Sequence, residues 1–250
     1  MKFLIQKIDK EIRHDFSFTL LESIRYHNWL ENSVEMKSKF IDYINKYDIK
    51  EWRFKDYHNN YIPVGSVEFV LAYMEHFQIP QPKPMNVPNE LIPYANRYIL
   101  NCNHIDLEDI ILHKYFLKSA DKIKGTAGIF HKGEVEIPAG NYQLSPVIDI
   151  ESEWRCFIYK GQLVGMQNYS GDFTVFPHVN KINEMIDAFK SAPIAYTLDV
   201  GIKKSKFFDI NNTFVIECHD FFSCGLYGFA DHKIYPHMLQ RWFNEYKRKF

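Results

Sequence analysis

The spacing of apolar residues changes partway along the chain, and the elements it predicts change with it. Over residues 61–77, YIPVGSVEFVLAYMEHF, a strand or turn feeds a helix. Val67, Val70, Leu71 and Met74 repeat at helical spacing behind Ser66, whose hydroxyl suits an N-cap. The opening KFLIQKI predicts a first strand, and the mixed polar and apolar stretch from Phe16 to Tyr47 predicts helical segments. From residue 113 onward, short runs rich in β-branched and aromatic residues predict strands at 114–119, 128–132, 141–150, 153–159, 162–169, 192–201 and 213–219. Lys160-Gly161 marks CFIYKGQLVGM as a hairpin, and helices are expected over 178–191 and 236–248. Between the two regimes, IPQPKPMNVPNELIP (79–93) holds five prolines and no periodicity. Proline fixes φ, so this stretch reads as a semi-rigid linker with a lobe boundary near residue 85. The fold class is α+β: a small N-terminal lobe, then antiparallel sheet carrying a few helices.

Composition narrows the partners. The chain has 250 residues, enough for a sizeable core, and 30 basic residues balance 31 acidic ones for a net charge of -1. A nucleic-acid polymer usually selects a basic surplus, which is missing here. The tail Lys247, Arg248, Lys249 reads as a solvated helix end. The apolar run at the N-terminus is too short for a signal-peptide core, and no window approaches ~18 uninterrupted apolar residues. A cytoplasmic, membrane-free protein is expected. Its four cysteines form no CxxC pair and fit a reducing compartment.

Four constellations could carry chemistry. In FVIECHDFFSCGLYG (214–228), Glu217, Cys218 and His219 follow one another on a predicted strand. Strand alternation projects Glu217 and His219 together, with Val215, and turns Cys218 to the other face as a core thiol. No further cysteine or histidine sits at zinc-finger spacing, so zinc is disfavoured. In IAYTLDVGI (194–202), Asp199 interrupts an apolar strand, where a carboxylate pairs with a lysine, ends the strand early or binds a metal. If the strands of Asp199 and Glu217 are neighbours, the two carboxylates could hold Mg²⁺, a hard cation that favours oxygen ligands. In FLKSADKIKGTAGIF (116–130), Lys118 precedes Lys124, Gly125, Thr126 and Gly128. Such a loop is a plain hairpin turn or a backbone cradle for phosphate, and it matches neither a Walker A loop nor GxGxxG. Finally, Glu153 and Arg155 lie two apart on one strand face. They form a surface ion pair, or they hold a ribose and a phosphate or carboxylate.

Taken in order, a proline-marked junction, a lysine strand with a small-residue loop, E-x-R, a strand acid and Glu-x-His resemble the ATP-grasp superfamily. The most telling segments are SEWRCFIYKGQLVG, YTLDVG and FVIECHDFFSCGLYG; the likeness covers residues 61–245 and is strongest from 113 onward. It implies two α+β lobes clasping ATP, preceded by a small α/β lobe: 1–85, then 86–145 as the small lobe and 146–250 as the large lobe with the metal site. It also implies that Lys118 is the nucleotide-binding lysine, that the loop 124–128 covers phosphate, and that Ser145, Val147 and Ile148 belong to the hinge that reads adenine. Glu153 would face the ribose and Arg155 phosphate or a substrate carboxylate. Arg97, expected in a helix after the linker, would replace a second basic contact. Asp199 and Glu217 would hold the metal, Mg²⁺ or alternatively Mn²⁺.

His219 departs from the resemblance, because the family's usual residue there is asparagine. Imidazole nitrogen suits manganese or zinc better than magnesium. His219 is thus a ligand for a softer ion, a contact to substrate or phosphate, a sign of a weakened site, or a structural histidine. The implied activity is an ATP-dependent carboxylate–amine ligase working through an acylphosphate on small-molecule or peptide substrates. The loop 171–176 and the aromatic run after His219 are candidates to line the acceptor pocket. The alternatives are a non-catalytic nucleotide-binding protein on the same fold and a zinc enzyme using Cys218, Cys224 and His219.

Overall fold

KFLIQKI forms strand β1 (Lys2–Ile8), with Phe3, Leu4 and Ile5 fully buried. The computed structural model describes residues 2–30, 37–43, 54–133, 137–203 and 212–249, with 37–43 and 108–109 described by backbone alone. Contacts group the chain into two units. One comprises Met1–Pro82, Pro193–Ala195 and Phe221–Phe250; the other comprises Lys83–Ala192 and Tyr196–Asp220.

In the first unit, β1 runs parallel to β2 (Lys37–Tyr43) on one side and β3 (Ile62–Val64) on the other. The helical expectation for 16–47 holds for α1 (Asp15–Leu30) and is corrected for 37–43. There the ladder runs unbroken from Lys2↔Lys37 to Ile8↔Tyr43, and such pairing outweighs weak local preference. Residues 31–36 and 44–47 of that expectation lie outside the described residues. Helix α2 (Val67–His76) starts where the pattern predicts: Ser66 Oγ accepts from Phe69 N at 3.2 Å, and Val67, Val70 and Met74 are buried. Helix α4 (Tyr235–Arg248) comes from the other end of the chain into the same unit. Tyr235 Oη donates to Phe16 O at 3.1 Å, and the Phe243 and Tyr73 rings lie 6.2 Å apart. The aromatic run ahead of α4 was expected to line an acceptor pocket. Instead Phe221 and Phe222 are buried in this core, Phe222 stacking on Trp242 at 4.9 Å.

The second unit holds two four-stranded sheets. The smaller is antiparallel in the order β4-β7-β5-β6, from β4 (Leu100–Asn103), β5 (Lys114–Ser119), β6 (Ala127–His131) and β7 (Asn141–Pro146). The larger has the order β11-β10-β8-β9, from β8 (Ile150–Tyr159), β9 (Gln162–Gly171), β10 (Ala195–Lys203) and β11 (Thr213–Asp220). The predicted run 141–150 is therefore two strands: it breaks after Pro146, where the chain passes from one sheet to the other. Helix α3 (Val179–Ala188) covers the larger sheet, burying Ile182 and Met185 with Leu198 and Val200. Each side chain of this size contributes about 1.5–3 kcal/mol by full burial.

The second half of the proline stretch is anchored in a core. Val87 and Leu91 are buried in the core of the large sheet, and Asn89–Tyr94 forms a short 3-10 helix that contains Pro93. Gln143 clamps the strap through Val87 N→Oε1 at 2.9 Å and Nε2→Val87 O at 3.0 Å, while Cys218 N donates to Asn86 O at 2.7 Å. Extended backbone anchored in this way leaves no helical or strand period in the sequence. Residues up to Pro82 fall in the first unit, and residues 221–250 group with them.

Candidate functional site

Strands β8 and β10 are neighbours in the large sheet, which brings Arg155 to Asp199. Arg155 Nε donates to Oδ1 at 2.8 Å and Nη2 to Oδ2 at 2.7 Å, with Asp199 only 1% exposed. A buried carboxylate without such a partner would be costly, and the planar guanidinium satisfies both of its oxygens.

Strand β11 delivers the second acid. It pairs with β10 as Asp199↔Glu217 and then Val200↔Val215, so Ile216 is the extra residue of a β-bulge. The simple alternation expected from the sequence is corrected at this point. Val215 turns into the core beside Cys218, while Ile216 and Glu217 both line a cavity. Cys218 leaves the Glu217 face as expected, and burial pushes its thiol well above the ordinary range. Arg97 binds the two carbonyls at the bulge, Val215 O at 2.8 Å and Ile216 O at 3.1 Å, and also Ala95 O at 3.1 Å. It lies in a bend after the 3-10 helix, not in a helix as expected. Burial pushes its guanidinium down to about 10, so it stays charged at neutral pH.

Glu217 joins two neighbours. Lys118 on β5 pairs with its Oε2, and His219 Nε2 lies 2.7 Å from its Oε1 and 4.0 Å from Asp199 Oδ2. Burial pushes Lys118 down to about 8, with Arg155 adding to the effect. Burial also takes His219 down to about 4, so its imidazole is neutral near pH 7 and donates to Glu217 through Nε2–H. The cations Lys118 and Arg155 thus balance the carboxylates Glu217 and Asp199.

The cavity measures about 570 Å³, within the ~300–1,000 Å³ of small-molecule sites, and takes walls from both sheets of this unit. Of the residues expected from the sequence, Arg97, Lys118, Gly128, Ser145, Val147, Ile148, Glu153 and Glu217 line it. His219, Asp199 and Arg155 connect to the wall through the chain of contacts that starts at Glu217. Lys124, Gly125 and Thr126 are not in the wall. They close the β5–β6 hairpin through Ser119 N→Thr126 O at 2.7 Å and Gly125 N→Lys122 O at 3.0 Å. A Cβ at Gly125 would meet Ser119 Cβ at 2.8 Å, so the tightness of this turn requires glycine. In the loop after β9, Phe173 and Phe176 are exposed.

Three polar wall residues escape the sequence reading: Asn86, Gln143 and Tyr169. Asn86 and Gln143 belong to the strap and its clamp, which only the paired sheets reveal. Tyr169 Oη donates to Glu153 Oε2 at 2.8 Å, and the Arg155 guanidinium lies 5.8 Å from its ring centre.

Asp199, Glu217 and His219 each offer one ligand atom, and those atoms lie within 4.8 Å of one another, the one such group among the described residues. Two carboxylate oxygens with one imidazole nitrogen fit a divalent cation. Mg²⁺ matches the oxygens and Mn²⁺ accepts the whole set. The Asp199 and Glu217 oxygens are already held by Arg155, Lys118 and His219, so a metal would exchange with those contacts.

A family model for the ATP-grasp domain, R2K clade family 2, matches residues 94–236. Comparison with curated proteins finds no match. Among solved structures, D-alanine–D-alanine ligase from Bacillus anthracis complexed with ATP is 10% identical, with a TM-score of 0.54 and 100% of each chain covered. D-cycloserine synthetase DcsG is 10% identical, with a TM-score of 0.53 over 100% of this chain and 99% of that one. N5-carboxyaminoimidazole synthetase from Staphylococcus aureus complexed with ADP is 9% identical, with a TM-score of 0.54 over 96% of this chain and 77% of that one. At such identities the likeness is one of fold.

Proposed function

The chain belongs to the R2K clade of ATP-grasp domains, and we propose that it is an ATP-dependent carboxylate–amine ligase that forms an amide or peptide-like bond. One observation carries this reading: a single cavity is lined by two cations, Arg97 and Lys118, and by Glu217, which leads to Asp199 and His219. The D-alanine–D-alanine ligase of the same fold is complexed with ATP, which supports a nucleotide as the occupant.

In this reading the apolar side chains Phe116, Ile129 and Ile148 receive the adenine, and residues 145–148, where β7 leaves its sheet, offer backbone groups to its edge. Glu153 accepts from the ribose. Arg97 and Lys118 bind phosphate oxygens, with Gly128 admitting close approach and the hairpin 124–126 as a phosphate cover. Asp199, Glu217 and His219 would hold Mg²⁺ or Mn²⁺, which when bound neutralises charge on the triphosphate. Lys118 offsets charge on the γ-phosphoryl as it passes to a substrate carboxylate. Arg155, whose fork is committed to Asp199, adds its positive charge from behind that carboxylate. The acylphosphate formed is then attacked by an amine, the C–O bond breaks, and amide and phosphate leave beside ADP. No protein nucleophile is needed, in keeping with the burial of Cys156 and Cys218. The division into lobes at 1–85, 86–145 and 146–250 belongs to the same proposal.

Incubating the protein with ATP, Mg²⁺ and a panel of carboxylates in the presence of hydroxylamine tests this chemistry. An acylphosphate would be trapped as a hydroxamate with matching ADP release. ATP binding without ADP release for any member of a broad panel would instead favour a non-catalytic nucleotide-binding protein.

A further inference from the structure

A second bulge lies on the opposite edge of the large sheet. Strand β8 pairs with β9 as Glu153↔Ser170 and then Trp154↔Asn168, which makes Tyr169 the extra residue of β9. Ser170 stands opposite Glu153 and shares its face, so strict alternation would send Tyr169 to the other face of the sheet. The bulge reverses this and aims the phenol to the side of Glu153, where both residues line the cavity. The bulge is itself held in place. Asn168 Nδ2 contacts Ser152 Oγ at 3.0 Å, Glu153 O at 3.1 Å and Ser170 O at 3.0 Å, and Trp154 Nε1 donates to the same Ser152 hydroxyl at 2.7 Å.

The phenol reaches two functional groups at once. Its hydroxyl donates to Glu153 Oε2 at 2.8 Å, and its ring lies 5.8 Å from the Arg155 guanidinium. We propose that Tyr169 is a specificity-determining positioning residue: it fixes the Glu153 carboxylate so that Oε1 accepts from a ligand hydroxyl, and so makes the site select a ribonucleotide over a 2′-deoxyribonucleotide. The inference rests on the reading that this cavity takes ATP with its ribose at Glu153. Burial holds the phenol proton on, pushing its pKa well above the ordinary range, so Tyr169 stays a donor and Glu153 its acceptor. A carboxylate pinned through one oxygen has one defined direction left for the other. A sugar that lacks the hydroxyl leaves that oxygen desolvated and unmatched, the arrangement that gives strong discrimination. Without the phenol, Glu153 is free to turn, and each sugar finds a comparable partner.

The test is the ratio of dissociation constants for dATP and ATP, measured by calorimetry with Mg²⁺ on wild type, Tyr169→Phe and Glu153→Gln. The wild type should favour ATP by about tenfold, the scale of one hydrogen bond to a charged group. Tyr169→Phe should bring the ratio to within about threefold of unity while its melting temperature stays near wild type. Glu153→Gln should also lose the preference. A wild-type ratio retained in Tyr169→Phe but lost in Glu153→Gln overturns the role of Tyr169 and leaves the nucleotide reading intact. A ratio unchanged in both variants, or no ATP binding by the wild type, overturns the assignment of the ribose to Glu153 together with the inference built on it. Loss of both affinities in equal measure in Tyr169→Phe marks the residue as merely structural and also overturns the proposal.

Discussion

Arg155 and Asp199 show how one carboxylate constrains its surroundings. Asp199 is the acidic residue within an otherwise apolar strand, and its 1% exposure leaves it no water to rely on. Removing one member of a buried ion pair strands the other. Arg155→Ala should therefore cost about 3–5 kcal/mol, read as a lower denaturant midpoint at unchanged slope. A cost below about 1 kcal/mol would mean that water reaches Asp199. That Asp199 needs a partner is legible in TLDVG. Which partner is not, because Arg155 lies 44 residues away and meets it only through the adjacency of β8 and β10. Thiols behave in the same simple way. Cys156 and Cys218 are fully buried and burial raises both pKa values, so the native protein should leave them unmodified by a thiol reagent at pH 7 over minutes. Rapid labelling of either, read by mass spectrometry, would contradict that packing.

At the scale of elements, the strands of the second unit were readable from their composition and the bulges were not. Seven short β-rich runs from residue 114 onward correspond to β5 to β11, with the break at Pro146 as the main departure. Periodicity locates strands because the pleat repeats every two residues; it carries no information on a single inserted residue. Yet the bulges at Ile216 and Tyr169 decide which side chains reach the cavity. The bulge in β11 is tied to Arg97, whose fork takes up the carbonyls of Val215 and Ile216. Arg97→Met should destabilise the protein by about 2 kcal/mol, since two partly buried carbonyls lose their donors. The same variant should weaken ATP binding, by loss of a charge that no carboxylate neutralises among the described residues. Stability unchanged by that substitution would show that the bulge stands without Arg97. Strand β2 illustrates the converse limit: 37–43 read as helix locally and became strand through a parallel partner elsewhere in the chain.

Over the whole molecule, the order of chemistry-bearing residues was more legible than their spatial grouping. Lys118, Arg155, Asp199, Glu217 and His219 follow one another in an order that resembles the ATP-grasp pattern, and the family match over 94–236 agrees with it. The grouping of residues 221–250 with the N-terminal unit follows from long-range packing such as Tyr235 on Phe16, which no local pattern announces. No helix among the described residues is long and apolar enough to cross a membrane. The central claim is that Lys118 and Glu217 stand at one metal-dependent ATP site. Calorimetric titration of ATP with and without Mg²⁺, on wild type and on folded Lys118→Ala and Glu217→Ala, tests it most directly. One saturable, Mg²⁺-dependent site in the wild type, weakened about tenfold or more in each variant, is the predicted result. ATP affinity in both variants equal to that of the wild type would contradict it.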